Sequence, residues 1–157
     1  TGVPKNIAAQ AERAVGCLDN KKWFGIPLAF KAAVWSLLPG ALPEGENAWE
    51  RLEQADIIGE NANIRLTHLI HIIAAYSKGD MERVRTVIKR HAEKTAETPP
   101  NQQYKLLDPA ATEGILRVSD RMWTEAMGHR TPIGQLGSVW DENAAGDIET
   151  VELDDLF

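Results

Sequence analysis

The chain has 157 residues, 17 of them basic and 23 acidic, for a formal net charge of -6. That length suits one domain with a single hydrophobic core, and 43% apolar with 25% charged residues is a globular mixture that excludes a largely disordered chain. Cys17 is the one cysteine, which excludes an internal disulfide and makes a cytoplasmic setting the expectation.

The dominant period along the chain is helical. Val3 and Pro4 lead into a first stripe of Ile7, Ala11, Ala14, Val15 and Leu18, which Asp19 and Asn20 end. A second segment opens at Pro27 and runs to Leu38 with only Lys31 and Ser36 polar, before Pro39 and Gly40 stop it. This apolar run is broken and too short to span a bilayer. No signal segment precedes it, so no membrane association is expected; the chain opens on Thr1 rather than Met, as a trimmed or excised chain would. Asn47 followed by Glu50 has the form of a capping box before a short acidic helix with Trp49, Leu52 and Ala55.

The stretch from Ala62 to Lys78 is the most apolar long one and is expected to be the central helix. Its apolar arc holds Leu66, Leu69, Ile70, Ile72, Ile73 and Tyr76; Thr67, His68, His71 and Lys78 occupy the remaining arc. Gly79 ends it, and Asp80 caps a fifth helix with Met81, Val84, Val87, Ile88, His91 and Ala92 in one stripe. After a polar loop, Asp108 and Pro109 read as cap and first turn of a sixth helix. It is expected to turn Ile115, Leu116, Val118, Met122, Trp123 and Met127 inward and Arg117, Asp120, Arg121, Thr124 and Glu125 outward, and to close at Gly128. From Ile133 to Trp140 lies the best strand candidate, weakened by Gly134 and Gly137. The expected fold is therefore all-α, a compact bundle of about six helices over residues 1–140, followed by an acidic C-terminal tail over 141–157.

Catalytic motifs are missing from this pattern. The chain carries no G-x-S-x-G nucleophile turn and no glycine-rich phosphate loop. His68 and His71 stand at i and i+3, yet catalytic zinc needs three protein ligands, so they read as histidines at the edge of a buried helix and His91 as a core histidine with a backbone partner. Glu50, Glu53, Asp56 and Glu60 read as a solvated acidic face. No catalytic residue, metal or cofactor is expected.

Charge, by contrast, is partitioned. Residues 1–140 hold all 17 basic and 16 acidic side chains, a net of +1, whereas residues 141–157 hold seven acids and no base. Within the domain the fifth helix is locally basic. Arg83, Arg90 and Lys94 lie on one flank of its apolar stripe, and Arg85 and Lys89 on the other. Lys and Arg spaced along a helix can displace counterions from a nucleic-acid backbone without reading sequence, so DNA or RNA is the partner expected here.

The tail, Val151-Glu-Leu-Asp-Asp-Leu-Phe157, sets Val151, Leu153, Leu156 and Phe157 among Asp154, Asp155 and Glu152. Such a segment can dock apolar anchors in a groove while its charge steers it to a basic partner. Glu152 to Phe157 resembles the short motif by which replication and repair proteins bind bacterial-type sliding clamps. Leu153 takes the aliphatic position and Leu156-Phe157 the terminal pair, while Glu152 stands where that motif favours Gln. The tail is also similar in style to the acidic, Phe-ended C-termini of single-stranded DNA-binding proteins, which recruit partner enzymes and compete with nucleic acid for their own basic surface. These resemblances imply a protein partner bound through Val151, Leu153, Asp154, Asp155, Leu156 and Phe157, or self-docking on the basic helix of the same or another copy. The expected function is that of a non-enzymatic accessory protein of nucleic-acid transactions, for which a phage or mobile-element source would be suitable. The alternative is an assembly protein whose tail latches onto a neighbouring subunit of a homo-oligomer.

Overall fold

Capping chemistry places most of the helix boundaries. The computed structural model describes residues 6–142, and among these it contains six helices and no strand. The helices are α1 (Ile7–Val15), α2 (Ile26–Leu37), α3 (Ala48–Asn61), α4 (Leu66–Lys78), α5 (Met81–Glu97) and α6 (Leu107–Met127). Pro27 sits in the first turn of α2, where its missing N–H costs nothing, and Asn20 Oδ1 accepts from Leu28 N at 2.9 Å. Asn47 caps α3 by accepting from Trp49 N and Glu50 N, and its side-chain amide donates to Glu50 Oε1 at 3.0 Å. Asp80 accepts from Arg83 N at the start of α5. Gly79 and Gly128, both left-handed, end α4 and α6.

Two core clusters meet at α4. Small residues let α2 and α3 approach it on one side, where Ala29, Ala32, Ala33, Leu52, Ala55 and Ala74 pack together. On the other side Ile72 and Ala75 join Val84, Val87 and Ile88 of α5 and Ile115 and Met122 of α6. Burying a single Leu or Ile in this way is worth about 1.5–3 kcal/mol, so α4, which packs on α2, α3, α5 and α6, is the central element.

Several boundaries differ from expectation, for physical reasons. Helix α3 is not short, since it runs for 14 residues to Asn61. The pattern taken to start α4 at Ala62 instead closes α3: Ile64 N returns to Gly59 O at 2.9 Å, and Asn63 takes a positive φ of 54°. Asp108 does not cap α6, because its carboxylate is spent on Arg65. Along α4, Thr67, His68 and His71 of the expected polar arc are buried and Ile73 of the apolar arc is about half exposed, whereas Ile72 is buried and Lys78 exposed as expected. With neighbours on nearly every side, α4 buries most of its polar arc too, and His68 and His71 find polar partners on α3 and α5. Ile133 to Trp140 is a series of turns.

The turn between α3 and α4 depends on Gly59. A Cβ at this position would lie 2.5 Å from Ile64 O and 3.0 Å from Thr67 Oγ1. Gly59→Ala is expected to destabilise the fold by about 1–3 kcal/mol, the usual cost of overpacking, read as a lowered thermal midpoint.

Candidate functional site

Glu53, Asp56 and Glu60 recur at intervals of three and four residues along α3, which puts all three on one helical face. Asp56 and Glu60 meet α4 and α5 rather than water, contrary to the solvated reading of this acidic run, whereas Glu50 and Glu53 are exposed as that reading has it. Asp56 is fully buried, with Oδ2 2.6 Å from His71 Nδ1. Glu60 accepts from His68 Nε2 at 2.9 Å and takes both Nε and Nη2 of Arg90. Glu53 accepts from Arg83 Nη1 at 2.9 Å, while Arg83 Nε donates to Asp80.

A buried chain of polar groups continues inward from Glu60. His68 Nδ1 lies 3.1 Å from His91 Nδ1, and His91 Nε2 lies 2.9 Å from Thr112 Oγ1 on α6. One proton occupies the gap between the two Nδ1 atoms, because a hydrogen bond needs one donor and one acceptor. Burial, reinforced by charge on His68 and Arg65, pushes His91 down to about 3 from an ordinary 6.5. Burial works to raise Glu60, but the hydrogen bonds from His68 and Arg90 outweigh it and hold this carboxyl at about 2. The bond to Glu60 in turn raises Arg90. The partner of His91 is thus side-chain and not backbone.

The cations of α5 therefore have different surroundings on the two flanks. On the Arg83 and Arg90 side they are matched by α3 carboxylates and Asp80, and Lys94 pairs with Glu97 of its own helix. On the other side, Arg85 donates to Asp141 at 2.8 Å and Lys89 to Glu142 at 3.4 Å. Asp141 and Glu142 are the first two members of the acidic run. They reach α5 because the segment after α6 packs back across it. Gly137 lies where a Cβ would come 2.9 Å from Ala92 Cβ, Val139 is buried, and Trp140 packs edge-on against Trp123 with Arg85 stacked over its ring at 4.7 Å.

The structure brings Arg83 and Arg90 together around one cleft and Arg85 and Lys89 around another set of partners, so the five basic residues do not form one continuous surface. The tail residues Val151, Leu153, Asp154, Asp155, Leu156 and Phe157 lie outside the described residues. Among the described residues no group of three or more His, Cys, Asp or Glu side chains is arranged to hold a metal ion, and no helix is long and apolar enough to cross a membrane. Sequence reasoning missed Asp56, Glu60 and Thr112 as partners of the histidines. The signal available was the matched spacing of Asp56 and Glu60 on one helix with His71 and His68 on the next. Comparison with protein-family models, with curated proteins and with solved structures finds no match to this chain.

Proposed function

We propose that the chain is a non-enzymatic accessory protein of nucleic-acid transactions, in which a phosphate backbone and the chain's own acidic segment compete for the Arg85 and Lys89 flank of α5. The observation carrying this reading is the pairing of Arg85 with Asp141 and Lys89 with Glu142. These four side chains are about a third to a half exposed, and exposed ion pairs contribute only about 0–1 kcal/mol each. A polyanion that releases counterions on binding can displace them at small cost. The acidic run continues to Asp155, and Leu153, Leu156 and Phe157 within it are the anchors this reading offers to a protein partner.

Fluorescence anisotropy with labelled single- and double-stranded oligonucleotides, at stepped salt, tests the competition. Asp141→Asn with Glu142→Gln is expected to tighten binding at low salt by roughly fivefold, the equivalent of about 1 kcal/mol from two surface pairs. Arg85→Glu with Lys89→Glu is expected to abolish binding. Absence of binding by the parent chain at low salt, or binding indifferent to both pairs of changes, removes the reading. A sizing-column shift in the first variant without any nucleic-acid effect would instead favour the subunit latch.

A further inference from the structure

A groove of about 680 Å³ runs between α5, α6 and the turns that follow α6. Its walls are mostly apolar: Ala92 and Ala96 of α5, Leu116 of α6, and Pro132, Ile133 and Leu136 from the turns. Ile133 is fully exposed, yet the turn that carries it is well anchored. Thr131 beside it is buried, with its hydroxyl 2.8 Å from Ser119 Oγ and its N–H donated to Asp120 Oδ1 at 3.1 Å. An apolar groove held open in this way, with an isoleucine at its lip, is the kind of surface at which a partner docks.

The polar atoms along the groove narrow what it takes. Thr95 Oγ1 donates to His91 O at 2.8 Å, Thr112 Oγ1 bonds both Asp108 O and His91 Nε2, and Asp120 accepts from Thr131 N. With these groups satisfied inside the protein, recognition falls to apolar contact and to charge at the rim. Basic side chains stand at both ends. Arg130 is 84% exposed, with Asp120 as its acidic neighbour at 4.0 Å, and Lys89 is half exposed on the turn of α5 before Ala92. The fitting occupant has apolar anchors with acids between them.

The chain itself supplies such a segment, tethered beside the groove. Arg85, Lys89, Ala92 and Ala96 recur at intervals of four, three and four residues and so form one stripe of α5. Asp141 pairs with Arg85 and Glu142 with Lys89, so the acidic run advances along that stripe in the direction of Ala92. Ala96 lies about 10 Å beyond Lys89 at the helical rise, whereas residues 143–153 reach up to about 36 Å when extended. We infer that this groove holds the chain's own C-terminal segment, with Leu153, Leu156 and Phe157 as the apolar anchors and Asp154 and Asp155 facing Arg130. Tethering gives the segment an effective concentration on the order of millimolar, so modest contacts hold it. This docking shares the acidic segment with the accessory-protein reading but needs no nucleic acid. It adds a level of regulation, because a protein partner must first take the anchors from the groove.

Phe24, Phe30 and Phe157 are the chain's phenylalanines. The full chain labelled with fluorophenylalanine therefore gives a fluorine resonance for Phe157, assigned by its loss in Phe157→Leu. In the parent chain, without nucleic acid, that resonance is expected to be displaced from its position in a free peptide of residues 143–157. Ile133→Ser, at a fully exposed position outside both core clusters, is expected to lower the docked-to-free ratio roughly tenfold, the scale of one apolar contact. Arg130→Gln is expected to lower it roughly threefold, the scale of one surface charge. A parent resonance at the free-peptide position overturns the assignment, as does a displaced one that either variant leaves unchanged. Displacement that fades on dilution, together with a decrease in size on a sizing column, gives the groove to the tail of a second copy and overturns docking within one chain. Failure of oligonucleotide binding would remove the accessory-protein reading and leave the fluorine result standing, so the two fail separately.

Discussion

Replacing Arg65 with Met is expected to lower the free energy of unfolding by about 3–5 kcal/mol, the cost of breaking a buried ion pair from one side. Arg65 is 1% exposed and Asp108 is 4% exposed. The Asp108 carboxylate receives the Arg65 backbone N–H at 2.7 Å on one oxygen and the guanidinium Nη1 on the other. Arg65 Nη2 also donates to Thr98 O at 2.9 Å and to Thr98 Oγ1, which ties the end of α5 to the start of α4 and α6. Methionine would fill much of the volume but leave Asp108 in the interior with only a backbone donor. Urea denaturation followed by far-ultraviolet circular dichroism reads the loss as a lowered midpoint at constant slope. The control is Arg65→Met combined with Asp108→Leu, which removes both charges and is expected to recover part of the loss, since no uncompensated carboxylate remains. A single-variant cost below about 1 kcal/mol would mean that the pair contributes no more than an exposed one.

The same residues show where sequence legibility ends. The order and class of the helices follow from local chemistry: Asn47 with Glu50, Asp80, Gly79 and Gly128 each act within a few residues of where they stand, and the structure uses each of them at a helix end. Asp108 before Pro109 carries an equally good local signal, yet Arg65, which lies 43 residues away in sequence, outbids the backbone for it. Much of the polar arc of α4 is buried for a related reason. Helical periodicity separates polar from apolar positions, but it does not show that the polar arc will face Asp56 and Glu60 and be buried with them. Charge counting along α5 met the same limit, because a run of bases has no phosphate-facing surface until the carboxylates across from it are known. The segment after α6 reads as a weak strand candidate from Ile133 to Trp140 and is instead a series of turns, and its return across α5 was not legible, since that path depends on the long-range packing of Trp140 on Trp123.

Stability is expected to fall as the medium is acidified from about pH 6.5, well before ordinary carboxylates are protonated. The folded value of His91 is about 3, below its ordinary 6.5. Between these limits the unfolded chain takes up a proton that the folded chain refuses, so the contribution of His91 is fully present above pH 6.5 and is lost as pH falls towards 3. Glu60, at about 2 in place of 4.5, adds a second loss between pH 4.5 and 2. Each unit of pH within one window costs about 1.4 kcal/mol at most, so the two together amount to several kcal/mol, on the scale of a small domain's whole stability. The geometry gives the reason for the first window. His68 Nδ1 and His91 Nδ1 stand 3.1 Å apart with room for one proton, and a second would set two N–H donors against each other in a site without water-like screening. Urea midpoints at stepped pH check both windows. In the parent chain the decline begins near pH 6.5; in His91→Asn, compared with its own stability at pH 7, it is expected to begin only near pH 4.5, where Glu60 takes over. An unaltered onset in that variant would place the acid-sensitive group outside the His68–His91 contact.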